Sequence, residues 1–422
     1  MGDVSISPND SRIKIAVRNI FLMMIGKTTS LLGAGIYTFA MGLYVLKTTG
    51  SGMGFAITLI CGSIPRMVFG PVAGAMADKV NRRWLVIGAD LLSSLIMLTM
   101  FLLSTLFGMS LLFIYVSAAL LSICASFYSI SFTASIPTLV DSTRIQQASS
   151  LNQTATSLSN ILAPMIGGMV YGFFSMEFFF LLNGITFFLA VILQLFIVFD
   201  LYKVQSEQKK DHFLSSIKEG FLYVKRQHDM YRVLKVFVWI NFFGSAFFVA
   251  LPYIIVQNLH LLSQQLGVVE GASAVGMLVA SIILSVRKEM NNPFRSVRIS
   301  LSVLAGLYLC TTFPLLVTIP GTVSFMYYIL VTFLCGMTSI SINIPLQVYI
   351  QKTTDPRYLG RVFGLIETIA TGIIPLGFIL YGFLLDMIPT STVIIISAVG
   401  MFIVVLLGMK QMDVQKQVDV SA

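Results

Sequence analysis

The sequence predicts an all-α membrane protein with twelve transmembrane helices in two six-helix, pseudo-symmetric halves. Three observations carry this: the apolar composition, the long stretches without charge, and the one-sided placement of Lys and Arg. Of 422 residues, 56% are hydrophobic and 11% are charged, against about 25% charged in soluble domains. A soluble core of this length cannot hide so much apolar surface, whereas lipid tails solvate it. Backbone groups in hydrocarbon find no water, so a spanning segment must be a helix or a strand of a closed barrel. The apolar stretches run for about 20 residues without period-two alternation, which selects helices.

Lys, Arg, Asp and Glu are absent from 28–46, 91–140, 145–176, 178–199, 236–269, 299–351 and 387–409. The second gap holds two spans, broken near Phe107-Gly108. The 299–351 gap also holds two, broken between Pro314 and Gly321, where prolines and glycine punctuate the chain. The expected spans are 19–46, 54–77, 84–106, 109–136, 146–173, 177–200, 233–257, 265–286, 297–314, 321–350, 360–385 and 389–409.

The net charge of +9 could suggest nucleic acid, but its distribution points to a bilayer instead. Of 27 Lys and Arg, 24 fall on one predicted side, Lys47 alone falls on the other, and Lys27 and Arg66 lie inside spans. This is the positive-inside pattern. It places both termini in the cytoplasm and requires an even number of spans. Cys61, Cys124, Cys310 and Cys335 all fall inside spans and read as packing residues, not disulfides or metal ligands. The polar N-terminal stretch and long first span argue against a cleaved signal peptide.

The division expected is an N-terminal half over 1–200, a cytoplasmic linker over 201–232 and a C-terminal half over 233–422. Within the linker, Phe213, Ile217, Phe221 and Val224 mark one face of an amphipathic helix that lies along the membrane surface. Weak self-similarity supports two halves. Asp141-Ser-Thr-Arg144 and Asp355-Pro-Arg357 follow spans four and ten, and Tyr171-Gly172 and Tyr381-Gly382 recur in the spans that follow.

Between spans two and three the chain reads Gly70-Pro-Val-Ala-Gly74-Ala-Met-Ala-Asp78-Lys79-Val-Asn81-Arg82-Arg83. The four-residue spacing of Gly70 and Gly74 would let another helix approach closely. Lys79, Arg82 and Arg83 form a basic turn that anchors the loop on the cytoplasmic side.

This string resembles the cytoplasmic loop motif of the major facilitator superfamily. Asn81 stands where that family has Gly, and Asn also tolerates a left-handed turn. The resemblance implies that Asp78 pairs with the N-terminus of helix eleven, here Gly360-Arg361-Val-Phe-Gly364, as a switch; a carboxylate at that end is favoured by the helix dipole. Gly26-Lys27, Ser30 to Gly33, Pro65-Arg66, Ala89-Asp90 and the Ile217-Lys-Glu-Gly string resemble the drug:proton antiporter group that includes macrolide and enterobactin exporters. Ala163-Pro164-Met-Ile-Gly167-Gly168 resembles the antiporter motif of span five, with Ala163 in place of its first Gly. The arginine that many proton-coupled members carry in span four is absent from 110–139.

The resemblance implies the major facilitator fold and a secondary active transporter in a bacterial cell membrane. It would be a monomer that exports lipophilic or cationic small molecules by alternating access, coupled to protons or another ion. Solute uptake or lysophospholipid flipping by the same fold is the alternative. A sensor that binds without transporting is a third reading, but the tail Lys410–Ala422 is too short for a signalling domain.

An ionisable group inside a span is costly unless it is paired or hydrated, which makes it a functional candidate. Lys27 stands where the resembled family commonly has Gln, and could bind an anionic group, pair with a carboxylate or snorkel to the surface. Asp90 lies roughly 10 Å into span three and could pair with Arg66 or Lys27 or carry a proton. Glu270 in span eight and Glu367 in span eleven lack an obvious partner nearby in sequence. They are candidates for protonation or for binding a cationic substrate. Phe127, Tyr128, Phe242, Phe243, Phe247, Phe248 and Met277 could line a lipophilic cavity or simply face lipid. His212, His228 and His260 lie in loops without metal-ligand spacing, and no phosphate loop is present. No enzyme activity, metal, cofactor or nucleic-acid partner is expected.

Overall fold

The computed structural model describes residues 8–141, 143–202, 222–286, 292–317, 319–354 and 372–420, with isolated positions between 362 and 369. Among them there are helices and no strands. In order these are α1 (Pro8–Thr49), α2 (Gly52–Lys79), α3 (Arg82–Phe107), α4 (Leu111–Leu139), α5 (Ile145–Phe173) and α6 (Met176–Leu195). There follow α7 (His228–Tyr253), α8 (Ser263–Val286), α9 (Pro293–Cys310), α10 (Gly321–Thr353), α11 (Ile374–Met387) and α12 (Thr390–Val420). Ten helical segments among the described residues are long and apolar enough to cross a bilayer. The polar-studded α5 and the 14-residue α11 occupy the other two expected spans. The linker residues 203–221, Gly360, Arg361 and Glu367 lie outside the described set.

The expected breaks are built as the sequence suggested. Gly108 ends α3 with φ 76°, and its N–H bonds to the Ser104 carbonyl at 3.1 Å. That left-handed cap is open to Gly at no steric cost. A helical turn at Phe313–Leu316 follows α9, and α10 starts after Pro320.

The start of α1 differs, since it begins at Pro8, well before the expected position 19. Ala16, Ile20 and Met23 recur at helical spacing and bury one face against Val86, Phe132 and Ile136. The helix therefore outruns its fully apolar stretch.

The chain forms two compact units, one of residues 1–41 and 61–208, the other of residues 42–60 and 209–422. In the first, α3 packs on α4 and α6. Asn19 knits the unit together by donating to the carbonyls of Leu139 (3.1 Å) and Val198 (3.0 Å) and accepting from the Val198 N–H (3.1 Å). In the second, α8 packs closely on α10. A Cβ at Gly276 would overlap the Phe333 carbonyl, and one at Gly336 would overlap the Ser273 carbonyl. The two glycines let these backbones touch. Phe247 of α7 stacks on Tyr308 of α9 with ring centroids 4.4 Å apart. Phe248 is 62% exposed, whereas Tyr128 is buried.

Candidate functional site

Two polar arrangements inside the first unit stand out. Lys27 on α1 is 2% exposed, and its ammonium donates to Asn152 Oδ1 of α5 at 2.6 Å. One turn along α1, the Ser30 hydroxyl donates to Asp90 Oδ1 of α3 at 2.6 Å. The Gln194 amide of α6 donates to Asp90 Oδ2. Asp90 is 1% exposed. Helical spacing places Lys27 and Ser30 on one face of α1.

The expected pairing of Asp90 with Lys27 or Arg66 is not made. Both carboxylate oxygens of Asp90 are held by neutral donors. Among the described residues, no carboxylate pairs with Lys27 or Arg66. A buried carboxylate held by neutral groups and a buried ammonium held by an amide thus sit apart in one unit. Such a carboxylate can take up and release a proton without breaking an ion pair.

Asn152 and Gln194 escape a sequence reading built on charges. Amides inside otherwise apolar spans are costly to bury unpartnered, and that cost is the signal that marks both.

Two basic residues of the loop motif, Arg82 and Arg83, bond to helix carbonyls. Arg82 donates to the Ala77 carbonyl (3.0 Å) and the Ala134 carbonyl (2.6 Å), tying the end of α2 to α4. Arg83 donates to the Leu195 carbonyl at the end of α6 (3.2 Å). At Ala77 and Leu195 the guanidinium groups satisfy terminal carbonyls that a helix leaves open. Asn81 is not left-handed. With φ −59° and ψ 115° it caps α3, its side chain accepting from the Arg83 N–H at 2.9 Å. Lys79, Asn81, Arg82 and Asp200 border a cavity of about 350 Å³. A Cβ at Gly74 would meet open space among the described residues; the N-terminus of helix eleven lies outside them. The side chain of Asp78 lies outside the described residues.

The span-five motif packs on α1. A Cβ at Gly167 would lie 3.2 Å from the Ile36 carbonyl oxygen and from Phe39 Cβ, and Ala163 closes on Gly35. Pro164 lies inside α5 between these contacts, and Gly168 is buried. Outside the spans, Asp141 closes the α4–α5 turn, accepting from the Thr143 hydroxyl and N–H and from Arg144 at 2.5 Å. These donors, the Thr143 hydroxyl foremost, hold its carboxyl below the usual carboxylate range.

In the second unit, Glu270 on α8 is half-buried and forms no hydrogen bond or ion pair among the described residues. It sits one turn from the contact made by Ser273 and Gly276.

A second carboxylate, Asp386 at the end of α11, escapes the sequence reading because it borders an apolar gap. Its Oδ1 accepts from the Gly52 N–H at 2.6 Å. Its Oδ2 accepts from the Ser51 hydroxyl at 2.6 Å and the Met53 N–H at 3.2 Å. Asp386 thereby caps the N-terminus of α2, where the dipole favours an anion. Nearby, Gln257 in the π-helical turn Ile254–Asn258 donates to the Leu46 carbonyl at 2.6 Å. The 42–60 hairpin is thus pinned at both ends of its turn.

Comparison with known proteins places these features in a family. The chain matches the family described as Major Facilitator Superfamily over residues 23–378. It is 22% identical to macrolide efflux protein A of Streptococcus pyogenes over 373 residues, covering 87% of this chain and 89% of that one. It is 24% identical to the multidrug efflux pump Tap of Mycolicibacterium fortuitum over 398 residues, with the same coverage of 87% and 89%. Its fold is similar to that of a crystal structure of the nucleoside transporter NupG, with a TM-score of 0.64 at 14% identity. That match covers 94% of this chain and 98% of the other.

Proposed function

We propose, on the premise that the chain belongs to the Major Facilitator Superfamily of membrane transporters, that it exports lipophilic or cationic small molecules by alternating access in exchange for protons. The observation that carries the proton reading is Asp90, a buried carboxylate bonded, among the described residues, to Ser30 and Gln194 alone. In the charged form it accepts both bonds; protonated, it keeps an acceptor for one and turns a donor toward the open side of Gln194, whose Oε1 is otherwise unpartnered. Protonation therefore reverses the direction of the Asp90–Gln194 hydrogen bond without emptying the site. Export as the direction draws support from the macrolide and multidrug efflux names of two relatives.

In this reading Lys27 contacts anionic groups of the cargo or water during the cycle, and Glu270 and Glu367 share the proton or bind cationic cargo. Residues 1–200 and 233–422 rock as two halves joined by 201–232, with both termini in the cytoplasm of a bacterial cell and a monomer as the working unit. Asp78 caps the Gly360-Arg361 end of helix eleven in one state and leaves it in the other. Pro164, Gly167 and Gly168 keep α5 close to α1 as the halves move.

The test is accumulation of several lipophilic dyes and antibiotics in cells with and without the protein. Lower accumulation that an uncoupler abolishes is expected. Higher accumulation in expressing cells would make the direction uptake. Glu270→Gln and Glu367→Gln are each expected to weaken the uncoupler-sensitive fraction, and normal efflux in both would remove those residues from the coupling path.

A further inference from the structure

A further polar group reaches the Asp90 site from α4, a helix that carries no charged side chain. Leu121, Cys124, Tyr128 and Phe132 recur at helical spacing along it and are buried. Tyr128 stacks on Phe132 with ring centroids 5.3 Å apart, and Phe132 meets Phe199 edge-on at 6.5 Å. The Tyr128 ring is thereby fixed in one packed cluster with Val86 and Ala89 of α3 and with Ile197 just past α6. Ala89 adjoins Asp90, and Ile197 follows Gln194 by about one turn. The Tyr128 hydroxyl faces the Gln194 amide yet closes no hydrogen bond there. Gln194 Oε1 is likewise buried without a partner. Two buried polar groups that each lack a bond cost free energy, and a small turn of the amide or the hydroxyl joins them.

We propose that Tyr128 is a positioning residue for Asp90: acting through Gln194, its hydroxyl sets how firmly Asp90 holds a proton. The proposal rests on the proton reading of Asp90 given above. With Asp90 charged, Tyr128 donates to Gln194 Oε1 and Gln194 Nε2 donates to the carboxylate. With Asp90 protonated, its O–H donates to Gln194 Oε1 and Nε2 donates to the Tyr128 oxygen. A hydroxyl can donate or accept, so the row reverses with every atom partnered, and Tyr128 keeps its own proton in both states. The two states do not gain equally. Hydrogen bonds to an ionised group are about twice as strong as neutral ones, and a donor behind the amide polarises it toward the carboxylate. Tyr128 therefore favours the charged form of Asp90. The other ionisable groups around the site are engaged elsewhere or make no bond to it. Lys27 of α1 is bonded to Asn152, and Arg18 to the Phe196 carbonyl. Arg82 and Arg83 at the start of α3 bond to helix carbonyls. Cys124 of α4 is a buried free thiol one turn from Tyr128, and Arg66 of α2 makes no bond to Asp90. α5 carries no charge, and α6 carries Glu177 alone, at its far end.

The test is a titration of Asp90 in the full chain, reconstituted in lipid vesicles. Protonation is read as the carboxylic-acid carbonyl band in infrared difference spectra, assigned by its loss in Asp90→Asn. Tyr128→Phe keeps the ring and its stack on Phe132, and is expected to move the midpoint upward by roughly 0.2–0.5 on the pH scale. Gln194→Leu removes the donor itself and is expected to move it further, by about 1 or more. Tyr128→Phe added to Gln194→Leu is expected to shift nothing more, because the hydroxyl acts through the amide. Ser131→Ala removes another buried, unpartnered hydroxyl of α4 and is expected to leave the midpoint in place. An unchanged or lowered midpoint in Tyr128→Phe would overturn the proposal. So would an equal shift in Ser131→Ala, a full Tyr128→Phe shift in the Gln194→Leu background, or an Asp90 that does not titrate. Should Tyr128→Phe fail to fold, Tyr128→Met removes the hydroxyl with an adaptable side chain, and an unmoved midpoint there would overturn the proposal instead. The proton reading fails separately: gradient-driven transport by Asp90→Asn at the wild-type rate would end it while the midpoint shift of Tyr128→Phe stood.

Discussion

Asp90→Asn keeps the shape of the Asp90 side chain and removes its ability to exchange a proton. The amide oxygen still accepts from Ser30, and a rotated Gln194 can accept from the new NH2 group. Folding is therefore expected to survive, with the melting temperature in detergent shifted by only a few degrees, as for roughly 1 kcal/mol in a chain of this size. Gradient-driven transport is expected to fall at least about tenfold, within the range general acid–base groups contribute. Lys27→Met separates another pair of explanations. Among the described residues no carboxylate pairs with Lys27, so a long apolar side chain removes a buried charge without orphaning a counter-charge. Stability is expected to hold or rise slightly while transport falls. A large drop in melting temperature would make Lys27 a packing residue held by Asn152. Both charges were visible in the sequence because they interrupt apolar stretches. Their partners were not, because Ser30, Asn152 and Gln194 carry no charge and become neighbours only when α1, α3, α5 and α6 assemble.

At the level of elements, charge gaps and prolines read well because bilayer chemistry acts on each span alone. The breaks at Phe107-Gly108 and after Pro314 follow from local geometry and were legible. The early start of α1 was not, since its polar first turns are helical only because Ala16, Ile20 and Met23 meet α3 and α4. Nor was the Asn81 cap, whose residue type fits a left-handed turn equally well. The α8–α10 crossing gives a sharp prediction. Gly336→Ala drives a methyl into the Ser273 carbonyl, a backbone atom that cannot rotate away, and is expected to cost about 1–3 kcal/mol or more. Thermal melting in detergent measures it, and an unchanged midpoint would mean that α8 and α10 sit farther apart. Asp386→Asn weakens a charged helix cap worth roughly 0.5–2 kcal/mol. Faster hydrogen exchange is expected at residues 51–56, with the remainder of α2 unaffected. Exchange as slow as in the wild type would mean that Asp386 does not hold the hairpin.

On the scale of the whole molecule, the chain path and the compact units do not coincide. α1 leaves the first unit at Met41 and α2 re-enters it at Cys61. The intervening hairpin is packed in the second unit through Asp386 and Gln257. In the proposed alternating-access cycle this segment is held in one state and released in another. Asp386→Asn combined with Asp78→Asn is therefore expected to alter the balance of states more than either alone, read by the accessibility of cysteines introduced along α1. Equal effects of the double and single variants would uncouple the two carboxylates. The superfamily was legible from the Gly74–Arg83 loop, because that loop is short and local. The roles of Arg82 and Arg83 were not, since their acceptors Ala134 and Leu195 lie far along the chain.

If a proton moving through Asp90 drives export, dye transport by purified protein in vesicles under an imposed pH gradient reads it most directly, wild type beside Asp90→Asn. Transport is expected to follow the gradient in the wild type, to stop when the gradient is collapsed, and to be lost in Asp90→Asn. Gradient-driven transport at the wild-type rate in Asp90→Asn would contradict a proton path through this carboxylate.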